Sequence, residues 1–299
     1  MARMLGEVLT AIATPFREDG SVDLDGFRGL AAQLVESGSD GLVVAGTTGE
    51  APTLTDAEKL ELFAAAVDAV GRRATVVANT GSNDTAHSVH LTREAHELGV
   101  DGFLVVTPYY NKPPPRGIVE HFRAIADVTD RPIVVYNIPQ RVVVNIEPET
   151  MVELAGIPPV AAVKQATTDP GQAQFIVDET GLSLYAGNDD LLQPFLELGG
   201  AGGICVYTHL VGERVREQVA RFRAGDLEGA RAIDAELGPV IEALSVTTNP
   251  IPLKAALAMA GHAVGGLRLP LVEATDAERA RIREGLERAG LLAATTAAR

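Results

Sequence analysis

One run carries the strongest chemical signal in the chain: Val160-Ala161-Ala162-Val163-Lys164-Gln165. Four apolar residues lead straight into a lysine. A short apolar run of this kind reads as a strand buried on both faces. An ammonium at the end of such a strand is costly to strip of water. Lys164 therefore either extends its tip to solvent or an ion partner, or sits as an uncharged amine. The uncharged amine is the nucleophile that makes a Schiff base with a carbonyl compound.

The surrounding pattern says what holds that lysine. Short apolar runs at 9–14, 41–45, 74–78, 102–106, 132–136, 160–164, 182–186 and 203–206 read as strands. Helical stretches at 23–36, 55–70, 84–99, 117–128, 148–155, 170–180, 191–198 and 210–224 alternate with them. Leu24, Phe27, Leu30, Ala31 and Leu34 make one apolar stripe, and Thr55 with Glu58 makes a capping box. The strands lack polar alternation, which means a parallel sheet covered on both faces. Eight such units predict an α/β fold, a (β/α)8 TIM barrel over residues 1–225. Residues 226–299 read as a C-terminal helical appendage, with helices near 226–245, 250–260 and 276–289 and a second capping box at Thr275 and Glu278.

Active sites of such barrels lie at the C-terminal ends of the strands. There the chain places Thr47 and Thr48 after the second strand, and Tyr109 and Tyr110 after the fourth. Tyr136 ends the fifth, with Arg141 five residues on, Lys164 ends the sixth and Gly187 follows the seventh. Each has an ordinary explanation alone: a rim aromatic, a helix cap, a surface ion pair. Their shared face is what joins them. An imine on Lys164 is an electron sink that lets a proton leave the adjacent carbon. A tyrosine linked through a threonine to a second tyrosine can shuttle protons for that chemistry. A planar guanidinium suits a substrate carboxylate.

Gly46-Thr-Thr-Gly-Glu50, Thr107-Pro-Tyr-Tyr-Asn111, Tyr136-Asn-Ile-Pro139, Val163-Lys164, and Asn249-Pro-Ile-Pro252 with Lys254 occur in this order. On these motifs the chain resembles the dihydrodipicolinate synthase/N-acetylneuraminate lyase family of class I aldolases, over nearly its whole length. The paired threonines, the paired tyrosines and Arg141 look most like the branch that condenses pyruvate with L-aspartate 4-semialdehyde. The resemblance implies that Lys164 forms the Schiff base with pyruvate and that Tyr136 is the general acid/base. It implies that Thr48 bridges Tyr136 to Tyr110, which crosses a tight dimer interface into the neighbour's site. Thr47 and Thr48 would hold the pyruvate carboxylate, Arg141 the carboxylate of the aldehyde, and Gly187 and Ile204 would line the pocket. It further implies a homotetramer built as a dimer of dimers, in lysine and diaminopimelate biosynthesis, with no cofactor and no metal.

The chain departs from the family pattern at Gln165, Val142 and Gly187-Asn188-Asp189, near where the aldehyde would lie. It also departs at the effector pocket of lysine-inhibited relatives, where His87, Asp56 and Lys59 stand while Asn83 and Tyr109 are kept. An imidazole serves an effector ammonium poorly, so lysine inhibition is expected to be weak or absent.

Composition narrows the rest. Among 299 residues, 46% are hydrophobic and 22% charged, an ordinary globular balance. A net charge of −15 speaks against nucleic acid as a partner. Arg3, Glu7, Arg17 and Glu18 interrupt the first 20 residues, so no signal peptide is expected, and no apolar run reaches the ~18 residues of a membrane span. One cysteine, Cys205, fits a reducing cytoplasm. It reads as buried, and Gly199-Gly-Ala-Gly-Gly203 reads as a tight turn because it precedes a strand. His87, His90 and His96 read as an exposed helix face rather than metal ligands. Two rivals stand beside the main reading: the same imine chemistry on a sugar-derived aldehyde, and a non-catalytic barrel that only binds.

Overall fold

The apolar runs do become strands, and they close on themselves. The computed structural model describes residues 5–167 and 169–293. In chain order the barrel comprises β1 (Val8–Ala11), α1 (Leu24–Glu36), β2 (Gly41–Val44), α2 (Asp56–Val70), β3 (Thr75–Asn79), α3 (Thr85–Glu97), β4 (Gly102–Val106) and α4 (Pro115–Ala126). It continues with β5 (Ile133–Asn137), α5 (Pro139–Val142), α6 (Pro148–Ala155), β6 (Val160–Gln165), α7 (Pro170–Glu179), β7 (Ser183–Ala186), α8 (Leu192–Glu197), β8 (Gly202–Cys205) and α9 (Thr208–Arg223). Each strand pairs in parallel with the next, and β8 returns to β1 to complete a closed eight-stranded barrel. Helices α10 (Leu227–Leu244), α11 (Ile251–Met259) and α12 (Asp276–Arg288) follow. The predicted barrel and its helical appendage are both present. The predicted limit at residue 225 falls in the turn between α9 and α10. Arg3 and the outer limits at residues 1 and 299 lie outside the described residues.

Two apolar layers hold the barrel. Leu9, Val43, Val77, Leu104, Val134, Ala162 and Ile204 fill the interior. Their strand neighbours Val8, Leu42, Val76, Phe103, Val135 and Val163 pack outward against the helices. This is the period-two alternation of a strand, hidden from the sequence because both faces are apolar. Phe27, Leu30, Ala31 and Leu34 bury the expected stripe of α1. Both capping boxes form, at Thr55 with Glu58 and at Thr275 with Glu278.

Boundaries shift where backbone demands outrank side-chain pattern. Helix α4 starts two residues before the expected Gly117, because Pro115 already holds the φ of a first turn. Strand β8 starts at Gly202, where a Cβ would lie 1.8 Å from Glu7 O. Only glycine lets the chain approach β1 that closely. The four-residue α5, which carries Arg141, had no signal beyond Pro139.

Ile282 of α12 is fully buried in the main core. Ile282→Ala is expected to cost about 2–5 kcal/mol in urea unfolding. A cost below about 1 kcal/mol would mean that α12 is not part of the cooperative core.

Candidate active site

Strand alternation puts the lysine inside. Ala162 faces the barrel interior and Val163 the helices, so Lys164 points inward again. Register sets it beside Tyr136 of β5 and Tyr185 of β7. Lys164 is 5% exposed, and its Nζ lies 4.4 Å from the centre of the Tyr136 ring. Among the described residues, no carboxylate forms an ion pair with it. Lys164 thus neither extends its tip to bulk solvent nor meets a carboxylate in an ion pair.

A cavity of about 340 Å³ opens above Nζ. Thr47, Thr48, Tyr136, Arg141, Lys164 and Gly187 all line it. Thr48 Oγ1 accepts a hydrogen bond from Asn249 Nδ2 at 2.9 Å. Arg141 enters from α5 and donates to Thr248 Oγ1 and Asn249 O at 3.3 and 3.2 Å. At Gly187 a Cβ would meet Gln165 O and Ala166 Cβ at 2.8 Å, so the β7 loop lies hard against the end of β6. Six of the eight expected site residues thus share one wall.

The other two do not. Ile204 is fully enclosed in the barrel interior, below the cavity rather than on its wall. Tyr110 is 89% exposed and lines neither this cavity nor the larger one beside it. Its φ of 69° turns the side chain outward from the loop after β4. The expected bridge from Tyr136 through Thr48 to Tyr110 is not closed within one chain, since Asn249 is the partner of Thr48 Oγ1.

Asn188, Asp189, Ser245 and Asn249 line the cavity as well; the sequence put the first two only near the aldehyde, carried Asn249 only within a family motif, and gave no sign of Ser245. The run Gly187-Asn-Asp-Asp190 after a strand was the available signal for the first two. Ser245 and Asn249 come from beyond α10, and no rule about strand ends points to them. Asp189 accepts from Val206 N and Tyr207 N at 2.8 and 2.9 Å, tying the β7 loop to the β8 loop. Burial pushes its carboxyl up to about 6, against the pull of those two bonds and of the Lys164 charge. Cys205 is buried as expected, and burial raises its thiol well above the usual range.

A second cavity of about 750 Å³ shares Thr47, Tyr136, Arg141 and Asn249 with the first. It is also lined by Asp56, Lys59, Asn83, His87 and Tyr109. His87 is not on an open helix face: its Nε2 lies 2.9 Å from both oxygens of Asp56. His90 is exposed, and His96 is partly buried with Nδ1 3.0 Å from Thr129 Oγ1. Among the described residues no three His, Cys, Asp or Glu side chains gather as metal ligands. No helix among them is long and apolar enough to cross a membrane.

The family model described as the dihydrodipicolinate synthetase family matches residues 4–289. The chain belongs to this family. A 4-hydroxy-tetrahydrodipicolinate synthase of Moorella thermoacetica is 50% identical over 289 residues, covering 96% of this chain and 99% of its own. One from Acidothermus cellulolyticus is 47% identical over 95% of this chain and 92% of its own. The crystal structure of the dihydrodipicolinate synthase from Cyanidioschyzon merolae with lysine bound superposes with a TM-score of 0.95 at 42% identity. That match covers 97% of this chain and 99% of the other.

Acidity tests the packing around the barrel's ends in this family member. Burial lowers His209 and His121 from 6.5 to about 4, so both imidazoles are neutral in the fold. The unfolded chain binds their protons first as pH falls, so stability drops from about pH 6.5 to about 4. Asp189, raised from 3.8 to about 6, works the other way and loses stability as pH rises through that interval. Two imidazoles outweigh one carboxyl, so the urea midpoint is expected to fall on acidification, and less steeply in His209→Gln. A midpoint that rises toward pH 4 would contradict neutral buried imidazoles.

Proposed function

We propose that Lys164 carries, as a Schiff base with pyruvate, the condensation with L-aspartate 4-semialdehyde that yields 4-hydroxy-tetrahydrodipicolinate for lysine and diaminopimelate biosynthesis. The observation that carries this reading is the enclosed amine, without an anionic partner, at the floor of a cavity walled by Tyr136, Thr47 and Arg141.

Nζ adds to the pyruvate ketone, and loss of water gives the imine. The imine draws electrons from the neighbouring methyl, which releases a proton and becomes an enamine. The enamine carbon then attacks the aldehyde carbon. The substrate's own amine next replaces Nζ at the former ketone carbon, which closes the ring and frees Lys164. One water leaves overall. Tyr136, in contact with Nζ across its ring, is the proton carrier for dehydration and deprotonation. Thr47 and Thr48 hold the pyruvate carboxylate, and Arg141 at the mouth takes the aldehyde's carboxylate. Arg141 favours this aldehyde over a sugar-derived one, which has no amino-acid carboxylate to offer.

The outward Tyr110 supports assembly in pairs that reach into each other's sites, and two such pairs as a homotetramer. A large exposed aromatic in a left-handed backbone position is costly unless something covers it. The acidic, single-cysteine chain suits work in the cytoplasm.

Reduction with borohydride in the presence of pyruvate tests the central step. A mass gain on Lys164, absent in Lys164→Ala, is expected, and Tyr136→Phe should lose roughly 10²–10⁴-fold in turnover. No mass gain in the unmodified protein would leave a barrel that binds without catalysis. Turnover of a sugar-derived aldehyde in preference to L-aspartate 4-semialdehyde would move the chain to the rival reaction.

Feedback by lysine is weak or absent in this reading. In the larger cavity Asp56 is already shared by His87 at 2.9 Å and Lys59 at 3.8 Å. An incoming ammonium meets an Asp56 already engaged by two donors, with Glu50 tied to Lys254 and Asp84 capping α3. Initial rates are expected to hold through sub-millimolar lysine, and half-inhibition in that range would overturn the assignment.

A further inference from the structure

Glu50 and Lys254 form a buried ion pair outside both chemical roles just described. Glu50 Oε1 lies 2.7 Å from Lys254 Nζ, and their side chains are 0% and 2% exposed. Lys254 Nζ also donates to Gly266 O at 2.7 Å and sits 4.3 Å from the Phe16 ring centre. The other Glu50 oxygen accepts from Arg268 N at 3.0 Å. Arg268 in turn donates to Gly20 O, Thr53 O and Glu58 Oε2 at 2.8–2.9 Å. Every anchor except Gly20, Thr53 and Glu58 belongs to Phe16 or to the chain beyond α10. The C-terminal appendage therefore holds Glu50 from above.

Glu50 closes the turn that carries Thr47 and Thr48. Its own N donates to Thr47 O at 3.1 Å, and Ala51 N donates to Gly46 O at 3.2 Å. The turn is bracketed by two non-glycine residues in the left-handed region, Ala45 at 52° and Glu50 at 58°. Such a conformation persists only where surrounding contacts over-determine it. Thr14 Oγ1 to Gly49 O at 2.7 Å and Asn79 Nδ2 to Ala45 O at 2.9 Å pin it from the barrel side. From the other side come Lys254 on Glu50 and Asn249 on Thr48, five residues apart across the start of α11.

A buried ion pair is seldom a net source of stability, since its desolvation offsets its attraction. Its retention at a strained turn beside a cavity calls for another role. We propose that Glu50 and Lys254 are positioning residues for the carboxylate-binding turn, through which the C-terminal helices set the affinity for pyruvate. This rests on the reading of Thr47 and Thr48 given above. The pair aims the Thr47 and Thr48 donors and keeps a carboxylate three residues away from repelling the substrate's charge.

The variant Glu50→Gln/Lys254→Met removes both charges at nearly constant volume and strands neither. Borohydride trapping on Lys164 is followed as pyruvate is titrated, with a thermal melt of each protein. Half-saturation is expected to rise more than about fivefold, about 1 kcal/mol in binding, while full trapping is still reached at high pyruvate. A purely structural pair would lower the melting temperature and leave half-saturation unmoved. Arg268→Met loosens the same anchor from its partly exposed outer end and decides the matter if the double variant does not fold. Glu242→Gln/Arg288→Met, an exposed pair between α10 and α12, serves as the control. A shift below about fivefold in the folded variant overturns the proposal. Absence of trapping in the unmodified protein would instead overturn the pyruvate reading and leaves a different signature.

Discussion

The structure depends on one costly burial: an amine taken out of water at the end of a barrel strand with no anion to meet it. A charged Nζ in an apolar interior loses hydration that an ion pair or solvent access would otherwise restore. At Lys164 no ion pair is present among the described residues, and the Tyr136 ring lies under Nζ with its centre 4.4 Å away. Lys254, the other enclosed lysine, has a carboxylate at 2.7 Å and a carbonyl acceptor. The two lysines show the two ways a barrel can bury an amine. One is satisfied and holds structure; the other is left able to react.

The barrel makes the unsatisfied amine affordable. Interior positions around it are Val134 on β5, Ala162 on its own strand and Tyr185 on β7, each paired in register, so Lys164 sits in a closed wall. Residues that could quench it are occupied elsewhere. Asp189, whose field reaches Lys164, spends both oxygens on the amides of Val206 and Tyr207. Glu50 is engaged by Lys254 and Arg268. Asp189 and Glu50 are thus held back from the amine by bonds of their own.

The fold was legible because a parallel barrel writes itself as apolar runs between amphipathic helices, and those runs contain their own ends. The site was legible to the extent that it sits on strand ends: Lys164, Tyr136 and Gly187 fall where the strand rule puts them, and the loops carrying Thr47, Thr48 and Arg141 follow directly. Ser245 was not legible and Asn249 was visible only within a family motif, because both reach the cavity from segments distant in sequence. His87 was misplaced because its Asp56 partner lies on another helix, and no spacing along one helix reveals that. Ile204 turns into the barrel interior from the last residue but one of β8 and is not among the residues that line the cavity.

Tyr110 stands apart from the residues that its own chain gathers at the cavity. The loop from Thr107 to Asn111 is braced at both ends: Thr107 N and Oγ1 donate to Tyr136 O at 3.0 Å, and Asn111 Nδ2 donates to Asn83 O at 2.8 Å. A braced loop that holds a large aromatic almost fully in water, at positive φ, is not relaxed about its position. Leu269, 78% exposed, adds apolar surface on the segment just before Pro270 and Leu271, which line the larger cavity beside Tyr109. Apolar surface and braced backbone lie together on this face. The barrel thus builds the amine, the phenol above it and the guanidinium at the mouth from one chain, and presents the second tyrosine outward.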